Sequence, residues 1–144
     1  MPELVPSVAA RVISKSKYIS GLQCHKLLWH QYNAKDLIPP YDASHQAVFD
    51  QGHEVGRRAR LLYPGGVLIE RERWEMDGLL ADTTQALPLG MPIYEAALLG
   101  GGVYAQVDIL APTGDDGWDI IEVKSSTSVK SVHLDDVAVQ RFAA

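Results

Sequence analysis

The run Val103-Tyr-Ala-Gln-Val-Asp-Ile-Leu110, the hexapeptide Pro112-Thr-Gly-Asp-Asp-Gly117 and the run Trp118-Asp-Ile-Ile-Glu-Val123, followed by Lys124, decide how this chain reads. Two apolar runs joined by a turn rich in Pro, Gly and Asp predict a β-hairpin. Side chains alternate along a strand, so Gln106, Asp108 and Leu110 share one side of the first strand, and Ile120, Glu122 and Lys124 share one side of the second. Where those sides coincide, two carboxylates and an amine converge. Hard divalent cations such as Mg²⁺ or Mn²⁺ take oxygen ligands, commonly one or two carboxylates completed by water and substrate phosphate. Asp108, Glu122 and the carbonyl of Val123 offer such donors. A lysine two positions beyond the glutamate can place the attacking water or stabilise charge developing on a phosphate. The expected chemistry is phosphodiester hydrolysis, with Asp108, Glu122 and Lys124 catalytic. Spacing alone serves a second description equally well: a solvated strand face carrying Glu122 and Lys124, with Asp108 at a strand end.

Around this hairpin, 144 residues with 47% hydrophobic and 22% charged content suit one soluble globular domain with its own core. No apolar run approaches the length of a membrane span and no signal peptide opens the chain, so the expected location is cytoplasmic and no membrane partner is expected. A single cysteine, Cys24, excludes an internal disulfide framework. The net charge of −5 conceals a division: residues 1–73 carry +3 and residues 74–144 carry −8. A basic half able to meet a phosphate backbone and an acidic half able to hold cations suit a metal nuclease, although solvated acidic loops explain much of the −8.

Upstream, residues 1–13 read as a flexible arm and 14–144 as the domain. Ser14 or Ser16 caps a first helix broken at Gly21, and a second runs from about Cys24 to Asn33. The run Ile38-Pro-Pro-Tyr41 predicts an extended connector. Ser44 caps a helix to about Tyr63, whose Val48, Gly52, Val55, Gly56, Ala59 and Leu62 form an apolar face that packs on the sheet through its glycines. Its arginines, Arg57 among them, lie outward as a phosphate-contacting side or as plain solvated charge. Strands at 67–70 and 91–99 flank a helix over 75–87. The second of these strands turns at Gly100-Gly-Gly102 into the Asp108 strand, completing an antiparallel meander. A last helix, capped by Ser131, buries Leu134, Val137, Ala138 and Phe142. The polar loop before it, with Ser125 and Ser126, offers hydroxyls and amides to phosphate.

Gln106-Val-Asp108, then Ile121-Glu122-Val-Lys124-Ser fourteen positions on, with Gln140 in a helix downstream, resembles the PD-(D/E)XK nuclease superfamily. The RecB-like branch, which includes CRISPR-associated exonucleases, is the nearest in pattern. The run Ser14-Lys-Ser-Lys-Tyr-Ile-Ser-Gly-Leu-Gln-Cys24-His-Lys-Leu-Leu-Trp29 is similar to a bacterial family with a RecB-like core. The resemblance spans roughly Lys15 to Gln140. It implies an α/β, restriction-endonuclease-like core in which a mixed sheet with a central antiparallel meander is flanked by helices. The implied partner is nucleic acid, DNA in the first instance.

The resemblance also implies further site residues. Glu95 takes the place of a glutamate on the strand neighbouring the metal aspartate, where it reaches the metal or organises Lys124; a cross-strand partner for a basic residue is the alternative. Relatives carry Gly-x-x-x-His on the preceding helix, whereas here His53 directly follows Gly52 and position 56 is glycine, leaving His53 as a displaced candidate ligand and Glu54 as a weaker substitute. Gln140 matches the glutamine of Gln-x-x-x-Tyr, which contacts substrate or orders the site, but the tyrosine position holds Ala144. Iron–sulfur relatives join a cysteine at the Cys24 position to three others. One cysteine cannot build that cluster within this chain, so Cys24 is expected to be a buried structural thiol, with a zinc site of Cys24, His25 and His30 the less favoured reading.

The superfamily's last core strand has no counterpart before Ala144, which implies an incomplete domain and an exposed sheet edge open to homodimerisation. Two other functions stay open: an inactive nuclease-like module for nucleic-acid binding or protein assembly, and a phosphohydrolase acting on nucleotides.

Overall fold

The computed structural model describes residues 12–40 and 42–144. Residues 1–11 of the arm expected over 1–13, and Tyr41 of the expected connector, lie outside these. The arm's last residue belongs to the sheet: Ile13–Ser14 is a short strand, β1, pairing in parallel with Val103 and Tyr104.

From β1 the chain enters α1 (Lys15–Gln23), with Ser14 Oγ accepting the Lys17 N–H at 3.4 Å, and then α2 (His25–Asn33). Gly21 does not break α1. It is buried within the helix, with the tip of Leu28 from α2 lying where a β-carbon would stand, 2.7 Å from Cδ2. Next comes α3 (Ala43–Ala59), capped by Asp42 rather than Ser44: Asp42 Oδ1 accepts the N–H groups of Ser44 and His45 at 3.0 and 3.1 Å.

Only the end of the apolar face expected on α3 packs on the sheet, where Ala59, with Tyr63 just beyond the helix, meets Tyr94, Ile109 and Ala111. Val48, Phe49, Gly52, His53 and Gly56 border an open cleft instead, and a β-carbon at either glycine would have nothing within 4 Å. The glycines leave space where close packing was expected.

A two-residue strand, β2 (Val67–Leu68), precedes α4 (Met76–Ala86). The meander follows as β3 (Ile93–Gly100), β4 (Val103–Pro112) and β5 (Trp118–Ile121), all antiparallel. Gly101 and Gly102, both at positive φ, make the tight β3–β4 turn. At the second turn Thr113 N–H donates to Gly117 O at 2.8 Å. The sheet runs β1-β4-β3-β2, with β2 parallel to β3 and β5 alongside β4. The chain is thus an α/β protein with a mixed sheet flanked by helices.

Both faces of β4 are covered, so its burial does not simply alternate; Gln106 and Asp108 are the partly exposed positions between Val103 and Ala111. On one side Tyr104 joins Leu79, Ala86, Ile93 and Ala97 in a core built around α4. Thr83 ties that helix to the sheet, donating to Leu79 O and accepting the Ala97 N–H, each at 2.9 Å. On the other side Val103 and Ala105 meet Val139 and Ala143 of the last helix, α5 (Ser131–Ala143). Ser131 is the first residue of α5 and Lys130 is its cap, with His133 Nδ1 accepting the Lys130 N–H at 3.2 Å. The buried face of α5 is Asp136, Val139, Gln140 and Ala143, not the expected stripe; Leu134 and Phe142 are exposed. Among the described residues no helix is long and apolar enough to cross a membrane.

Candidate active site

Along one edge of β4 two strands are seated end to end. β1 pairs with Val103 and Tyr104, and β5 with residues from Ile109 to Pro112. Asp108 sits where the β5 ladder stops, and its Oδ2 accepts the Val123 N–H at 2.6 Å. The carboxylate thereby takes a backbone donor that β4 would otherwise have paired, and it holds the chain carrying Glu122 and Lys124 beside Asp108. On the opposite edge the β3–β4 register passes from Tyr94–Ile109 to Ala96–Val107, skipping Glu95 and Asp108. Glu95 lies there at φ 59°, a left-handed conformation that costs a non-glycine residue about 1–2 kcal/mol. Strained backbone of this kind clusters at functional sites. Glu95 Oε1 accepts from Arg60 Nη2 at 2.8 Å.

These residues open onto a cleft of about 1010 Å³ bounded by α3, the segment 68–75 and the end of the β4–β5 pair. His53, Arg57, Glu95, Asp108, Glu122, Val123, Lys124 and Ser125 all line it, together with Arg60, Arg71 and Arg73. The two halves of the charge division meet here: most of the floor carboxylates come from the acidic half and the arginines from the basic half. Burial first, and then the charge of Glu122, raise the Asp108 carboxyl to about 6; the Val123 N–H and Lys15 pull it down while Glu95 adds to the rise.

Glu122 is almost entirely enclosed, with 5% of its side chain exposed, and is surrounded by donors. Lys124 Nζ donates to its Oε1, Gln140 Nε2 donates to Oε2 at 2.6 Å, and Lys15 Nζ stands 3.3 Å from Oε2. All three donors also reach Asp136: Lys124 at 2.8 Å, Gln140 at 3.0 Å and Lys15 at 2.9 Å. Burial opposes ionisation of Asp136, but the Lys124 and Lys15 hydrogen bonds outweigh it and hold the carboxyl at about 2. Burial likewise disfavours the Lys124 ammonium, and the hydrogen bonds from it to Asp136 and Glu122 outweigh that and raise its pKa.

Several expectations need correction. Gln140 is fully buried, so it orders Glu122 rather than touching substrate. Ser126 lies outside the cleft, its Oγ donating to Ser128 O at 2.8 Å. Arg57 lines the cleft but is engaged by Glu54, which also binds Arg58, so Glu54 serves two arginines instead of a metal. Cys24 is exposed; it caps α2, its Sγ accepting the Leu27 N–H at 3.4 Å, a role that needs no burial. Among the described residues no three His, Cys, Asp or Glu side chains are grouped to hold a metal ion by themselves, neither in the cleft, where His53 remains apart, nor at Cys24, His25 and His30.

Asp136 and Lys15 escaped sequence reasoning as site residues. The one available signal was Asp136 at four residues before Gln140, which puts both on one helix face.

Comparison of the chain with protein-family models, curated proteins and solved structures found no match.

Proposed function

We propose that this chain is a metal-dependent nuclease that hydrolyses phosphodiester bonds in nucleic acid, with DNA the first substrate to test, on a RecB-like, restriction-endonuclease-like core. The observation that carries the reading is the convergence of Asp108, Glu122, Val123 and Lys124 in one cleft that Arg57, Arg60, Arg71 and Arg73 also line. Asp108 fits a cation ligand because its buried carboxylate lies in the field of Glu122 and Glu95, a cost that a bound cation offsets. The donor set is short of a protein cage: Asp108, Glu122 and the Val123 carbonyl would be completed by water and substrate phosphate, as suits Mg²⁺ or Mn²⁺. Bound there, the cation supplies Lewis acidity toward the scissile phosphate and a more acidic water.

The chain's own residues do the rest. Asp108 lines the cleft and is pinned through Oδ2 by the Val123 N–H, so its other oxygen would serve the cation. Lys124 places the nucleophilic water and faces the charge that develops on phosphate. Arg73 and Ser125 meet the sugar–phosphate backbone, and the bare glycines of α3 leave it room to approach.

The test is cleavage of labelled single- and double-stranded DNA with Mn²⁺. Wild type is expected to cut, and Asp108→Ala and Lys124→Ala are each expected to lose on the order of 10²-fold or more in rate. Equal cutting by all three would reject the assignment. One observation favours a second reading, a non-catalytic nucleic-acid-binding module: both oxygens of Glu122 already carry donors. Calorimetry with Mn²⁺ separates the two, because a module without a metal site gives no heat that depends on Asp108.

A further inference from the structure

Three donors from three parts of the chain, Lys15 at the start of α1, Lys124 after β5 and Gln140 on α5, each bridge the same two carboxylates, Glu122 and Asp136. The cluster is charge-balanced, two ammonium groups against two carboxylates. Both carboxylates are largely withdrawn from water, with 5% and 12% of their side chains exposed. A buried ion stripped of one partner is strongly disfavoured, so any change at Glu122 must be absorbed inside the cluster. Glu122 lines the cleft, whereas Asp136 does not.

We infer that Asp136 and Lys15 are positioning residues of the proposed site: Asp136 retains Lys124 and Gln140 when Glu122 turns toward a cation, and Lys15 is the counter-charge that Glu122 then releases. The inference rests on the metal-nuclease reading above. With Glu122 engaged elsewhere, Lys124 keeps one carboxylate partner, Asp136 Oδ2, and so stays beside the scissile phosphate instead of swinging into solvent. Lys15 keeps Asp136 Oδ1, so no ammonium group is left bare. Without Asp136 the two lysines have only Glu122 to hold and compete with the incoming cation. Without Lys15 one competitor is gone.

The two substitutions therefore move cation affinity in opposite directions, which damage to the fold would not do. Mn²⁺ calorimetry and steady-state cleavage on the full chain test this, with thermal melts as a folding control. Asp136→Asn is expected to weaken Mn²⁺ binding roughly 10- to 100-fold, and to lower kcat on a similar scale with KM little changed. Lys15→Met is expected to tighten Mn²⁺ binding roughly 5-fold or more. Asp135→Asn, which removes the neighbouring exposed carboxylate of α5, is expected to change neither.

Wild-type affinity and kcat in Asp136→Asn, or weaker binding in both Asp136→Asn and Lys15→Met alongside lowered melting temperatures, would overturn the positioning roles while leaving the nuclease intact. Wild type giving neither cleavage nor Asp108-dependent heat would overturn the nuclease reading and this inference with it.

Discussion

Asp108 is where local bonding and electrostatics pull in different directions. Its carboxylate is needed to end the β5 ladder at Val123, yet ionising it beside Glu122 and Glu95 in a partly buried place is unfavourable. The carboxyl binds its proton up to about pH 6 when folded, against an ordinary value of 3.8. Between those values the folded chain carries the extra proton, so this group's contribution to stability falls as pH rises through the window and stays low above it. Asp108→Asn keeps an oxygen for the Val123 N–H and abolishes the charge. Urea unfolding is expected to show the variant more stable than wild type at pH 7, by up to about 3 kcal/mol, with the difference vanishing near pH 3.5. A variant less stable than wild type at pH 7 would mean that the carboxylate is already neutralised. Asp136 behaves in the opposite sense. Held at about 2, it stabilises the fold above the ordinary carboxylate range, and that contribution disappears as pH falls from near 3.8 through 2.

Among the elements, α5 has the most consequential seat, because it carries both Asp136 and Gln140 to the back of Glu122. It reaches the sheet where Gly100 ends β3. A β-carbon on Gly100 would stand 2.7 Å from the Ala143 carbonyl oxygen, which is backbone and cannot swing aside. Gly100→Ala is expected to destabilise the protein by about 1–3 kcal/mol, read by chemical denaturation. It is also expected to lower cleavage more than the stability loss alone explains, since shifting α5 moves the residues that order Lys124. An unchanged denaturation midpoint would show that the helix end yields freely. The same helix shows why period counting misjudged it: two of its four buried residues are polar, so an apolar stripe pointed to the wrong face. In α3 the apolar side divides between two partners, with Ala59 on the sheet and Val48, Gly52 and Gly56 on a cleft.

For the whole molecule, folding brings arginines of the basic half and carboxylates of the acidic half into one cleft. The proposed nucleic-acid binding by these arginines would weaken with salt in proportion to the phosphates contacted. Arg73→Gln is expected to weaken binding to unrelated DNA sequences alike and to reduce the slope of log affinity against log salt by about 1, as read by fluorescence anisotropy in Ca²⁺. An unchanged slope would remove Arg73 from the interface. The sequence by itself determined the meander and its two turns, because period-two alternation and glycine turns are local properties written within a few residues; Glu122 and Lys124, expected on the face of the second strand, instead follow its end at Ile121 and line the cleft with Asp108. Only the tertiary structure decided what surrounds that trio. Lys15 meets Glu122 across 107 positions of chain, and Asp136 becomes an anchor only because α5 docks on Gly100. The exposure of Cys24 and the open side of α3 likewise depend on what packs against them, which no local pattern encodes.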